Sequence, residues 1–406
     1  MIRMKSILKA DHVLMLAVFL LLIFGLVMIT SIGVPKSIQL SAPGVLYPNC
    51  GDAEVDCYLL FKNHLIRLGI GIVAFFVAFK LPIKFWEKIS IILFFGMFFM
   101  LTFVLLMGDG FGTIAKSWLV ISGTSLQPTE FAKLALILYL AYFFTKKGKK
   151  IEDFAEGFIP FVIMSGLIAV PMLMQPDLGS TLVIGIIAVS MYFIAGARAK
   201  HLLIGFFAAL FLAIILITSI PHVRERFVSF SNVGEECLED NCWQSKQANI
   251  AVGSGGLFGK GLTQGIQKSY WLPQATDDFI FAASAEELGF LRIVFIIIAY
   301  FVVAQRGFYI ANHARSNFES LVAVGITVWI VMQAFINIAV NTALMPVTGI
   351  TLPFVSYGGS SLISSMIGVG ILLSISAQKG NYARTTNRRR NSRSRNSKPG
   401  RYRRIY

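Results

Sequence analysis

The sequence predicts an all-α polytopic membrane protein, ten transmembrane helices with a long outer loop between the seventh and the eighth. Three observations carry this reading. Hydrophobic residues fill 56% of the 406 positions and charged ones only 14%, whereas a soluble globular chain is nearer one quarter charged. Ten apolar stretches approach the roughly 20 residues that a membrane helix needs. Mean hydropathy is +0.71, and the basic residues between the stretches are distributed as the positive-inside rule requires.

The stretches are 13–32, 64–79, 89–107, 129–144, 158–174, 178–196, 202–220, 279–304, 319–341 and 355–375. The first follows Arg3, Lys5 and Lys9. Its uncharged run exceeds a signal-peptide core and no small-x-small cleavage site follows, so it reads as a retained span. The second contains Arg67, and the fourth contains Glu130 and Lys133. Only Gln175-Pro176-Asp177 separates the fifth from the sixth. With ten spans and both termini inside, the inner segments hold 25 basic residues and the outer ones 8, of which 5 fall in the 221–278 loop. A loop of that length obeys the charge bias weakly. Removing one span would put Lys146-Lys147 and Arg198-Lys200 on opposite sides.

The net charge of +15 suggests a nucleic-acid binder until it is mapped. Residues 379–406 hold 11 of the 36 Lys+Arg and no acid, which leaves +4 for the rest of the chain. That tail is low-complexity and reads as disordered. Basic segments beside a span attract anionic lipid, and no structured basic surface remains for nucleic acid. The domain reading is therefore a cytoplasmic N-terminus (1–12), a membrane domain (13–378) with the outer loop 221–278, and a basic cytoplasmic tail (379–406). All four cysteines fall in outer loops. Of the three possible connectivities, Cys50–Cys57 with Cys237–Cys242 is the simplest, and no histidine accompanies either pair to make a metal site.

Ionisable residues at membrane depth are functional hypotheses, because an unpaired charge in hydrocarbon costs several kcal/mol. They are Arg67, Glu130, Lys133, Asp177, Glu286, Glu287 and Arg292. Each has a plainer reading. Glu130 and Lys133, three apart on one helix face, can neutralise each other. Asp177 can cap the helix that follows it. Charge balance can account for Glu286, Glu287 and Arg292. Asp277-Asp278 stands at the membrane surface before the eighth span. A partly desolvated carboxylate there suits a general base, although spacing alone favours an N-cap.

The run AVGSGGLFGKGLTQG (251–265) looks like a phosphate loop but fails the test. Ser254 stands where the Walker pattern needs Gly, and Gly261 follows Lys260 in place of Ser or Thr. A close-packed loop, whose backbone amides could still approach a pyrophosphate, fits better. The last outer loop, NTALMPVTGITLPFVSYGGSS (341–361), is apolar yet broken by Pro and Gly. It must be buried in protein or line a cavity, and it has no TVGYG filter sequence.

Several motifs together resemble the SEDS family (shape, elongation, division and sporulation), the group of FtsW, RodA and SpoVE. They are WLVISGTSLQPTEFAKL (118–134), QPDLGSTL (175–182), QANIAVGSGGLFGKGL (247–262), LPQATDDFIFAASAEELGF (272–290) and PVTGITLPFVSYGGSS (346–361). The QKSYWLPQA context is more similar to the division branch than to RodA. The resemblance implies a ten-span bundle in the bacterial cytoplasmic membrane, at the division septum, that polymerises lipid II into glycan strands on the outer face. It implies undecaprenyl-pyrophosphate-linked glycan as the second substrate, a class B penicillin-binding protein as partner and other division proteins around it.

The family's loop carboxylate precedes Phe-Ile-Phe and falls on Asp278, which would deprotonate the GlcNAc 4-hydroxyl of the acceptor. Lys133, oriented by Glu130, basic loop residues or a divalent cation (Mg or Mn) could stabilise the departing pyrophosphate; the motifs name no certain cofactor. Asp177, Gln127, Gln175, Gln247, Lys260 and Ser356, all within the matching motifs, are carried over as substrate-binding. The family usually has His-Thr before its carboxylate where this chain has Thr276-Asp277, and Ala343 replaces a common Gly. The alternatives are an elongation or sporulation paralogue with the same chemistry, a flippase for lipid-linked precursors, and a scaffold.

Overall fold

The structure is a computed structural model that describes residues 10–42, 50–52, 55–108, 117–121, 124–231 and 240–395. The chain runs α1 (His12–Ile32), α2 (Val34–Ser41), α3 (Leu59–Lys80), α4 (Ile83–Met107), a hairpin of β1 (Leu119–Ile121) and β2 (Thr124–Leu126), then α5 (Pro128–Lys147). A 3-10 turn and a π turn at Phe154–Phe158 lead into α6 (Ile159–Met174). There follow α7 (Leu178–Ile194), α8 (Ala199–Ser219), α9 (Pro221–Ser231), α10 (Asp240–Gly255), α11 (Ile280–Leu288), α12 (Phe290–Asn312), α13 (Asn317–Asn341) and α14 (Gly359–Arg395). The architecture is all-α and polytopic.

Helices occupy all ten expected stretches. Among the described residues, eight helices are long and apolar enough to cross a membrane: α1, α3, α4, α6 with its π turn, α8, α12, α13 and the first 20 residues of α14. By that measure α7 is short at 17 residues, and α5, which opens on Glu130 and Lys133, is not among the eight. Polar side chains start several helices. Asp11 accepts from Leu14 N, Asp177 from Ser180 N and Ser316 from Glu319 N, each satisfying an N–H that has no intrahelical partner.

Three expectations change. The eighth stretch is two helices, because Gly289 (φ +77°) turns the chain between α11 and α12. A Cβ at Gly289 would lie 2.2 Å from Gly259 N, so only glycine admits the loop that packs there. The 221–278 loop holds two helices of its own, α9 and α10. The backbone of α14 continues as helix to Arg395, past the end of the tenth apolar stretch at 375; no proline stands between Gly359 and Pro399 to stop it. Residues 396–406 lie outside the described set.

The centre of the bundle is α13, α14 and α5, packed around fully buried Trp329, Phe144 and Tyr192. α8 is peripheral. It buries only His201, whose Nδ1 meets Tyr192 Oη at 2.9 Å. Cys50 and Cys57 form a disulfide with a Cα–Cα distance of 5.8 Å. The Cys237–Cys242 pairing falls outside the described residues.

Candidate active site

Residues 276–278 lie along the last outer loop, held by their backbone. Tyr357 N donates to Thr276 O (3.0 Å) and Ser356 Oγ donates to Asp277 O (2.5 Å). Asn337 and Asn341 Nδ2 donate to Asp278 O at 2.8 and 2.9 Å. These two asparagines are a helical turn apart on α13, on one face, and both are buried. Buried amides must find partners, so they fix what approaches: Asn337 also donates to Ile350 O (2.7 Å), and Asn341 Oδ1 accepts Ala282 N (2.9 Å).

That last bond corrects the N-cap reading of Asp277-Asp278. α11 starts after Phe279 without a side-chain cap of its own, because Asn341, 59 residues along the chain, supplies the acceptor. The Asp278 carboxyl is thus released from capping. It is half-buried, and its Oδ2 would lie 3.9 Å from a Cβ on Gly349, where φ is +73°.

Burial pushes the Asp278 carboxyl up to about 7. The neighbouring Asp277 adds to the rise, Lys36 opposes it, Asp177 adds to it and Arg226 opposes it. Lys36, on α2, pairs with Asp277 Oδ2 (2.5 Å) and donates to Gln274 Oε1 (3.1 Å). Asp177, in the outer turn between α6 and α7, caps α7 with Oδ1 as its plainer reading had it. Its Oδ2 is buried without a partner among the described residues, and burial raises this carboxyl too. Arg226 of α9 faces both carboxylates; burial works against its charge while Asp177 and Asp278 support it. Two carboxyls and a guanidinium from three separate outer elements therefore share one electrostatic neighbourhood.

Other residues singled out in the sequence hold the frame. Lys133 is fully buried and its Nζ donates to Glu130 Oε1 and Gln333 Oε1, both at 2.8 Å. Gln333 Nε2 donates to Thr351 O (3.1 Å) and Thr351 Oγ1 to Ser361 Oγ (2.9 Å). This line of bonds ties α5 to α13, the last outer loop and the start of α14. Glu130 Oε2 keeps no partner among the described residues. Gln127 N donates to Ser360 Oγ (2.9 Å). Gln175 Nε2 donates to Leu101 O (2.7 Å), with its Oε1 buried and unpartnered. Gln247 is buried on α10. Ser356 Oγ, besides holding Asp277 O, accepts Leu352 N (2.8 Å).

Lys260 Nζ pairs with Glu286 Oε1 (2.6 Å), and Glu286 also accepts Ile266 N and Gln267 N. The amides of Lys260 and Gly261 donate to Glu286 O and Glu287 O. The Gly-rich loop therefore wraps two buried carboxylates, and the amides named here are all engaged. Among the described residues no group of three or more His, Cys, Asp and Glu stands together as a metal ligand set. Sequence reasoning missed Lys36, Arg226, Asn337 and Asn341. The asparagines had a signal, two amides at i and i+4 in an apolar helix; Lys36 and Arg226 had none.

Fold and site define a polytopic all-α membrane protein with a carboxylate centre at one end of its bundle. The model of the cell cycle protein family of FtsW, RodA and SpoVE matches residues 11–381, and the chain belongs to that family. It is 40% identical to stage V sporulation protein E of Bacillus subtilis (strain 168) over 324 residues, 79% of this chain and 88% of that protein. It is 33% identical over 378 residues to a probable peptidoglycan glycosyltransferase FtsW of Geobacter sulfurreducens, covering 93% and 98% of the two. Among solved structures it is similar to a chain of a peptidoglycan synthase complex, studied for structural coordination of polymerization and crosslinking (TM-score 0.73, 25% identity, 91% and 98% covered). It is also similar to the rod shape determining protein RodA of Thermus thermophilus (TM-score 0.63, 25% identity, 91% and 97% covered).

Proposed function

We propose that this chain is a peptidoglycan glycosyltransferase that polymerises lipid II on the outer face of the cytoplasmic membrane during cell division, with Asp278 as general base. The observation that carries this is a half-buried carboxyl, released from capping by Asn341 and pushed up to about 7 by burial. A base works best when its pKa lies near the operating pH. The relatives named as probable peptidoglycan glycosyltransferases supply the reaction class.

In the reaction, Asp278 takes the proton of the acceptor's GlcNAc 4-hydroxyl as that oxygen attacks C1 of the lipid-linked donor. The new C1–O bond forms with inversion while the bond to the undecaprenyl pyrophosphate breaks, and the electron pair leaves on the phosphate oxygen. Preorganised cations stabilise such developing charge, and Arg226 is the one facing both carboxylates. Lys133, buried and engaged at Glu130 and Gln333, acts through Thr351 on the loop beneath Asp278 and not at the leaving group. The chain works with a class B penicillin-binding protein that crosslinks the strands; the similarity to a synthase complex supports that partner. The 40% identity to stage V sporulation protein E favours a second reading, the same chemistry in sporulation.

Purified Asp278→Asn is expected to fold and to lose polymerisation of labelled lipid II by about 100-fold or more, the scale of a lost general base. Full polymerisation by the variant would sink the assignment. A flipping assay on the same proteoliposomes separates a transporter from an enzyme. The fold should also gain. The Asp278 carboxyl is raised above its ordinary 3.8, so the folded state retains the proton longer and loses stability as pH climbs toward about 7. Asp278→Asn should therefore melt higher than wild type above that pH.

A further inference from the structure

Arg67 takes no part in the centre around Asp278. It stands eight residues into α3, about 12 Å along the axis from Leu59 at 1.5 Å per residue, beside exposed Ile66, Ile70 and Val73. A cation at that depth is either paired or functional. Among the described residues no carboxylate lies within ion-pair distance of Arg67 and its guanidinium donates no hydrogen bond. Its contact is the ring of Tyr357, with Cζ 4.6 Å from the centroid. A cation resting on an aromatic face keeps its five N–H donors.

Two further features converge on the same place. The arginine stem crosses the start of α14: a Cβ on Gly359 would come within 2.8 Å of Arg67 Cδ and 3.0 Å of Nε. The first N–H groups of a helix lack intrahelical acceptors and carry the positive end of its dipole. One turn before Arg67 on the same face of α3, His64 is 1% exposed. Its Nδ1 has no partner among the described residues, and its ring lies 6.0 Å from that of Tyr357. A planar guanidinium, a helix N-terminus and a buried unsatisfied imidazole nitrogen, behind an exposed apolar helix face, match one ligand chemistry, a phosphate.

We propose that Arg67, His64 and the first turn of α14 bind the phosphate of a lipid headgroup, the diphosphate of the polyprenyl carrier on the glycosyltransferase reading. That identification of the lipid rests on the proposed function; the phosphate site itself does not. Tyr357, on which Arg67 rests, donates its N–H to Thr276 O, two residues before Asp278. A carrier held here is therefore anchored next to the segment that bears the base.

The test is binding of undecaprenyl diphosphate and, in a separate arm, phosphatidylglycerol to the full-length purified protein, followed by native mass spectrometry. Arg67→Gln should weaken undecaprenyl diphosphate binding about tenfold or more, as loss of a charge-assisted contact does. Arg67→Lys should keep part of it. Gly359→Ala, which crowds Arg67 without touching its charge, should weaken it too. Polymerisation by Asp278→Asn, measured apart from lipid binding, tests the catalytic reading, so a failure of that reading stays separate. Loss confined to phosphatidylglycerol upholds the headgroup site and assigns it to a bilayer lipid. Unchanged binding of both lipids by folded Arg67→Gln and Gly359→Ala overturns the proposal.

Discussion

At Asp278 a single proton is controlled by groups from four different elements. Burial raises the carboxyl, Asp277 and Asp177 push the same way, and Lys36 and Arg226 pull against them. The base is active when ionised, so polymerisation should fall about tenfold per unit as pH drops below about 7. Lys36→Met removes a cation and leaves Asp277 without its 2.5 Å partner, so the carboxyl should rise and the limb of the pH–rate profile move to higher pH. Asp277→Asn removes a neighbouring anion and should move it to lower pH. Profiles that coincide with wild type in both variants would show that this neighbourhood does not set the titration. Only part of this was legible in the sequence. Asp278 stands out as a carboxylate at a membrane surface, but an N-cap reading competes with a base until the acceptor of Ala282 N is known. That acceptor is Asn341, brought there by tertiary packing.

At the scale of elements, periodicity and apolar length located the helices well, because hydrocarbon leaves the backbone few alternatives. They did not locate the break at Gly289. Apolar residues run on either side of it, and the requirement for a turn comes from Gly259 on a separate segment. A carboxylate pair stands just before the turn. Glu286 and Glu287 are both fully buried; the first takes Lys260, Ile266 N and Gln267 N, the second Lys268 Nζ (2.6 Å) and Ser31 Oγ (2.5 Å). Charge balance was the right expectation for the pair, while its partners were hidden in what reads as a phosphate loop. Glu286→Gln strands Lys260 and weakens two amide bonds. Lys260 is 28% exposed and can turn to water, so the loss should fall below the about 3–5 kcal/mol of a fully buried pair, with a lower melting temperature and faster proteolysis within 256–278. Glu286→Gln with Lys260→Met should recover part of the loss, and a wild-type melt for the single variant would deny the clamp its structural weight.

Across the whole molecule, α1 joins both ends of the bundle to the outer site. At its N-terminal end Asp11 caps the helix, accepts Arg306 Nη2 (2.5 Å) from α12 and donates its N–H to Ser376 Oγ (3.1 Å) of α14. At its C-terminal end Ser31 Oγ holds Glu287 and accepts Thr263 N (3.0 Å). Between them, Leu14, Leu21 and Met28 are fully buried. The expectation of a retained first span thus acquires a mechanical content that hydropathy does not contain. The tightest point is Gly25, where a Cβ would meet Phe354 O at 2.7 Å and Val355 Cα at 2.8 Å. Those atoms are backbone and cannot rotate aside, and the next residue, Ser356, holds Asp277 O. Gly25→Ala should therefore displace the last outer loop and, through Ser356, the segment bearing Asp278. Overpacking of this kind costs about 1–3 kcal/mol; polymerisation should fall further than that loss of stability explains, because the reacting group itself shifts. Melting and lipid II turnover measured on the same preparation separate the two effects. Turnover that tracks only the folded fraction would mean the loop yields without moving the base.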